Sequence, residues 1–135
     1  MHFRLEVDIV VCDWKPEDHL QGWVGILHGG IQATLMDEIA SWYVFVKLQT
    51  AGVTSKMEVK LLKPIEMEKA PFRLVARLEE MKRNIAIIKV ELFMNDGTLG
   101  AESLMHYFTY PQHIAKEKLF YPGIEYFIGG QDVDK

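Results

Sequence analysis

"GILHGGIQATLMDEIASW", residues 25–42, decides how the rest of the chain is read. A histidine and two glycines open it. Ile31, Leu35, Ile39, Trp42 and Val46 then recur at helical spacing, one stripe at about 100° per residue. Met36 and Tyr43 widen the stripe, and Ala33, Ala40 and Val44 cover much of the far side. A helix apolar nearly all round is a buried one. The pattern predicts a helix over 30–48, ended by the glycine of "QTAGV". Thr34, Asp37, Glu38 and Ser41 share an arc of about 100° on that wheel, and Glu38 also borders the apolar stripe. A carboxylate on a buried helix is costly unless it is paired, hydrogen-bonded or neutralised. The arc must therefore face a cleft, a ligand or another chain. The simplest partner would be a cation from a neighbouring strand, Lys56 or Arg83.

Strand periodicity surrounds the helix. Before it, Phe3, Leu5, Val7, Ile9 and Val11 alternate with mostly charged residues, one strand by period. "DWKPEDHLQGWVG" reads as a loop over 13–25. After it, Val53, Ser55, Met57, Val59 and Leu61 alternate with Thr54, Lys56, Glu58 and Lys60, up to Pro64. Strands follow from Phe72, Ile85 and Leu99, separated by the reversal "KRN" and the hairpin signal "NDGT". One strand, one long helix and a four-stranded antiparallel meander give an α+β fold, with the helix against one face of the sheet. Residues 1–111 are expected as one domain. Residues 112–135 form a tail expected to dock on that domain or on a partner subunit.

Bulk properties narrow the function. The chain has 135 residues, 49% apolar and 25% charged, an ordinary globular mixture. Its formal net charge is −4, and it has no long basic run, which argues against a nucleic-acid partner. Cys12 is the one cysteine, so no intrachain disulfide can form, and a reducing compartment is expected. Cys12 itself reads as a small apolar strand residue. No signal-peptide core opens the chain and no apolar run approaches a membrane span. A soluble cytoplasmic protein is expected. His2, His19, His106 and His113 offer no ligand spacing, so no metal and no cofactor are expected.

The start of the helix carries chemistry. Glycines let a ligand approach the backbone closely. The first helical N–H groups have no intrahelical partner and lie at the positive end of the dipole. Such a place suits an anion or an oxyanion. Asp37 lies about 10 Å further along, long for joint action on one carbonyl within one chain. A dimer resolves this if the loop of one subunit faces the helix of the other, building two equal sites.

The segment resembles the hotdog-fold thioesterases of the phenylacetate-pathway type. "GVTSKMEVKLLKP" and "MKRNIAIIKVELFMNDGTLGAESLMHYF" resemble the strand after the helix and the last hairpin of that family. The resemblance implies a curved antiparallel sheet wrapped around the central helix, and a homodimer with a continuous sheet that often pairs as a dimer of dimers. It implies hydrolysis of an acyl-CoA substrate. Asp37 matches the acidic catalytic position, as general base or as nucleophile. Gly29 matches the glycine whose N–H polarises the thioester carbonyl, with Gly30 beside it. His28 matches the adjacent histidine, which shapes the loop or assists by a hydrogen bond. Thr54 matches a hydroxyl, on the partner subunit, that places the attacking water. The chain departs from the family six residues before the histidine. Gly22 stands where the related enzymes carry an asparagine, and either Gln21 beside it, reaching in, or a water would have to take that place. Glu38 is open to a structural or a substrate-pocket role. Lys56, Lys60 and Lys63, with Lys82 and Arg83, could hold the CoA phosphates, although a solvated strand face is the commoner role of such residues. The missing asparagine motivates the alternative of a hotdog dimer that binds acyl-CoA or another apolar ligand without turnover. A hydratase on the same fold would need a histidine and an aspartate at the helix start, a pattern not evident here.

Overall fold

The computed structural model describes residues 2–16, 21–23 and 25–111. The C-terminal tail expected over 112–135 lies outside the described residues. In chain order the elements are β1 (His2–Leu5), β2 (Ile9–Trp14), β3 (Gln21–Trp23), β4 (Ile26–Leu27), α1 (Gly29–Lys47), β5 (Gly52–Leu61), a 3₁₀ turn (Met67–Lys69), β6 (Phe72–Lys82), β7 (Ile85–Phe93) and β8 (Leu99–Thr109). Six strands form one antiparallel sheet in the order β1-β2-β6-β7-β8-β5, and β3 pairs with β4 in a separate ribbon. This is the α+β hotdog fold. Leu35, Met36, Ile39, Ala40, Tyr43, Val44 and Val46 of α1 are buried. All of these but Val46 pack with Leu74 and Ala76 of β6, Ile88 and Val90 of β7 and Met105 of β8 in one core. Each large side chain so buried contributes about 1.5–3 kcal/mol.

Four sequence expectations change. The first strand is two: a turn with Glu6 N–H donating to Ile9 O at 3.0 Å breaks it. That turn is held by the helix, since Lys47 Nζ donates to the carbonyls of Glu6 and Val7 and Tyr43 OH to that of Asp8 at 3.1 Å. The loop over 13–25 contains β3 and runs into β4. The meander covers only β6, β7 and β8, whereas β5 pairs with β8 on the far edge. The long link from Leu62 to Pro71, with its 3₁₀ turn, lets the chain cross to β6 instead of turning back tightly. Finally, α1 stops before the glycine: Gln49 takes the left-handed conformation, φ 55°, at a cost of about 1–2 kcal/mol for a residue with a Cβ. Gly52 instead begins β5.

The sheet departs from strict alternation at a bulge. Thr54 opposes Tyr107 and Lys56 opposes His106, so Ser55 is the extra residue. Its Oγ donates to the His106 carbonyl at 3.2 Å. Sequence period places Thr54 with Lys56, Glu58 and Lys60. The bulge shifts the phase by one, and Thr54 joins Met57, Val59 and Leu61 on the helix side, opposite buried Tyr107, Met105, Ser103 and Ala101.

Cys12 is buried in β2. No helix among the described residues is long and apolar enough to cross a membrane, and no three His, Cys, Asp or Glu side chains among them converge to hold a metal ion.

The β7–β8 turn tests the local reasoning. Gly97 has φ 88°, and Asp96 Oδ1 accepts from Thr98 N–H at 2.9 Å. Thr98's N–H first, with Lys69 in support, pulls the Asp96 carboxyl down to about 2 from its ordinary value of 3.8. A depressed carboxyl stabilises the fold above its unfolded value and loses that contribution as pH falls towards the folded one. Asp96→Ala should therefore lower Tm at neutral pH, with the gap to wild type closing between about pH 4 and pH 2 in calorimetric scans.

Candidate active site

The start of α1 is fixed from both sides. Leu27 N–H donates to Ile65 O at 2.8 Å, and Met67 N–H to Gly25 O at 2.8 Å. The link after β5 thus straps the Gly25–Leu27 segment ahead of the helix. His28 is the N-cap, and its Nδ1 accepts from Gly30 N–H at 2.9 Å. A ring nitrogen that accepts carries no proton, so Nε2 is the donor in this arrangement. His28 takes the place that Ser, Asp or Asn usually fills, satisfying one of the four orphan donors of the first turn. Gly29 holds the first helical position, where a backbone N–H has no acceptor within the helix. Gln32 is buried, and its Nε2 donates to Leu27 O at 3.0 Å, a further tie across the first turn.

Two turns on, Asp37 is half-buried. Thr54 Oγ1 donates to its Oδ1 at 2.8 Å. Tyr107 OH donates to Asp37's own main-chain oxygen at 2.7 Å and also reaches Oδ1. The partners are two hydroxyls, not the cation from Lys56 or Arg83. The resemblance placed the Thr54 hydroxyl on the partner subunit, but the structure joins Thr54 and Asp37 within one chain. The reason is the Ser55 bulge, which turns Thr54 toward the helix.

Tyr107 was not singled out in the sequence. It is 1% exposed. Burial first, and then the hydrogen bond and negative charge of Asp37, push its phenol far above the usual range. It therefore keeps its proton and donates it to Asp37. A signal existed: Ala101, Ser103, Met105 and Tyr107 fall on the core phase of β8, and a buried tyrosine hydroxyl requires a partner. Nothing in the sequence names that partner.

The remaining candidates are dispersed. Glu38 is exposed beside Thr34, on the open side of α1 and away from the apolar stripe. On the predicted arc, Thr34 and Glu38 are exposed, Ser41 is half-buried, and Asp37 meets β5 and β8 through its hydrogen bonds. Gln21 and Gly22 lie in β3 by their backbone. Lys56 faces the opposite side of the sheet from Thr54 and pairs with Glu58 at 2.9 Å. Lys82 lies 3.5 Å from Glu80. Lys60 and Lys63 are exposed. Arg83 stands in the β6–β7 turn with φ 54°. It lines an open cleft with Lys47 and Tyr110 at the C-terminal end of α1, the end remote from Gly29. The five cations do not gather around Asp37.

The family model of the thioesterase superfamily matches residues 24–101. No curated protein sequence matches the chain significantly. Among solved structures, a hypothetical thioesterase from Streptococcus pneumoniae, crystallised with coenzyme A, is 21% identical with a TM-score of 0.72, covering 81% of this chain and 86% of that one. The same streptococcal protein matches as an aspartate-to-alanine and as a threonine-to-alanine mutant. Zebrafish thioesterase superfamily member 2 is 24% identical with a TM-score of 0.70, covering 78% and 79%. A Haemophilus influenzae thioesterase is 16% identical with a TM-score of 0.72, covering 82% and 78%. At these identities the likeness is one of fold.

The cap role of His28 is directly measurable. His28→Ala should cost about 1 kcal/mol in urea unfolding, and His28→Asn, which keeps an acceptor, should retain most of it.

Proposed function

The chain belongs to the thioesterase superfamily, and on that premise we propose that it hydrolyses an acyl-CoA thioester to the free acid and CoA. The observation that carries this reading is the Thr54–Asp37 bond, on a helix whose capped first turn presents Gly29. Asp37 accepts a proton from water as the water oxygen attacks the thioester carbonyl carbon. Negative charge gathers on the carbonyl oxygen, where the Gly29 N–H and the positive end of α1 stabilise it. The intermediate collapses with cleavage of the C–S bond, and the CoA thiolate leaves and takes up the proton. His28 shapes the donor loop through its cap. The streptococcal relative crystallised with coenzyme A, and the aspartate and threonine substituted in its mutants, are consistent with this assignment.

The catalytic unit of the proposal is a homodimer built on β5. This strand is an edge of the sheet, ten residues long, with Val53, Met57 and Leu61 exposed. A long apolar edge invites a second strand. The two half-sites lie at its two ends: Thr54 holds Asp37 near the start, and Leu61 packs at Gly29 near the end, where an added Cβ would meet its Cδ1 at 3.0 Å. Antiparallel pairing of β5 with the partner's β5 about residues 57–58 sets Thr54 opposite the partner's Leu61. One protomer's Asp37 then shares a site with the partner's Gly29, and the two-fold builds a second, equal site.

Asp37→Asn should lower kcat against a broad acyl-CoA panel by about 100-fold or more, the scale of a lost general base, measured as thiol release. No turnover by the wild type, with the thioester intact after long incubation, would instead support a binding dimer. Met57→Lys should shift the protein toward monomer in sedimentation velocity and lose turnover in parallel; a fully active monomer would overturn the shared site.

A further inference from the structure

We infer that Tyr107 is the positioning residue of this site: it locks Asp37 through Oδ1, so that Oδ2 is the oxygen that takes the proton from water. The inference rests on the hydrolase reading above and goes beyond it in naming the residue that sets the geometry and the oxygen that reacts.

Tyr107 has one hydroxyl proton, and the structure divides it between two atoms of the same residue, the Asp37 main-chain oxygen and Oδ1. The first contact fixes the backbone end of the side chain and the second fixes the carboxylate end. The rotatable bonds between them are thereby held in one setting. Thr54 adds a second donor to the same Oδ1 at 2.8 Å. No hydrogen bond from a described residue falls on Oδ2. The two oxygens of one carboxylate thus differ among the described residues: Oδ1 accepts from two hydroxyls, one buried and one exposed, and Oδ2 accepts from none.

The donors divide the labour. Tyr107 comes from the core-facing phase of β8 and is almost fully buried, so it touches neither substrate nor water and acts through Asp37. Thr54 is exposed. With its proton given to Asp37, its oxygen can still accept a hydrogen bond from the same water that Oδ2 deprotonates. The sheet makes the arrangement rigid, because Thr54 and Tyr107 are direct cross-strand partners.

Tyr107→Phe keeps the ring in the core and deletes only the hydroxyl. With the dimer intact, kcat should fall about 10- to 100-fold, the scale of a catalytic group misplaced by about 1 Å. KM for acyl-CoA should change less than about threefold, because the variant loses alignment and not binding. A crystal structure of the variant should find the Asp37 carboxylate away from its wild-type position. An active wild type with a fully active Tyr107→Phe, or an unmoved carboxylate, overturns the inference and leaves the hydrolase reading standing. A wild type no faster than Asp37→Asn overturns the hydrolase reading, and the inference falls with it. Should Tyr107→Phe fail to fold, 3-fluorotyrosine at position 107 keeps the hydroxyl as a stronger donor. The acid limb of kcat/KM should then move to lower pH, and an unmoved limb overturns the inference.

Discussion

A carboxylate in the middle of a helix packed against a sheet must find partners there, and the rest of the structure is arranged around that requirement. Asp37 meets it with hydroxyls and not with a cation. The choice has consequences. A buried ion pair would place a second charge in the site and damp the carboxylate's field. Two neutral donors hold the carboxylate in place without adding a second charge.

The hydroxyls are supplied by strands whose register is fixed far from the site. β8 presents Tyr107 because its core phase runs unbroken from Ala101 through Ser103 and Met105. β5 presents Thr54 only because the Ser55 bulge shifts its phase. Deleting the bulge would turn Thr54 to the outer face beside Lys56 and bring a different residue to the helix, since the side-chain period of a strand is two. The bulge is therefore what brings the Thr54 hydroxyl to Asp37.

The helix is held at both ends. At its start, the strap between Gly25–Leu27 and Ile65–Met67, the His28 cap and the Gln32 amide fix the first turn. At its end, Lys47 grips the β1–β2 turn, where a cation also complements the dipole. Between them the buried stripe anchors α1 to the sheet. Thr34 and Glu38 stay exposed on its other side, and β5 is an edge of the sheet. Both ends of α1 are thus tied to the rest of the chain by hydrogen bonds.

The sequence by itself determined a good deal: the helix and its buried stripe, the late strands with their turns, the α+β class, and Asp37 as the carboxylate out of place on an apolar helix. These follow from periodicities of 3.6 and 2 and from turn chemistry, all of them local. Only the tertiary structure decided what Asp37 touches, the split of the first strand, the placement of β5 on the far edge beside β8, and the end of the helix at Gln49. Strict alternation put Thr54 on the wrong face, because a one-residue bulge leaves no mark in a run that remains apolar at every second position beyond it. Tyr107 looked like a core residue because it is one. Its role arises from an oxygen 70 residues away in sequence, and contacts between distant segments are set by how strands pair, which no local pattern records.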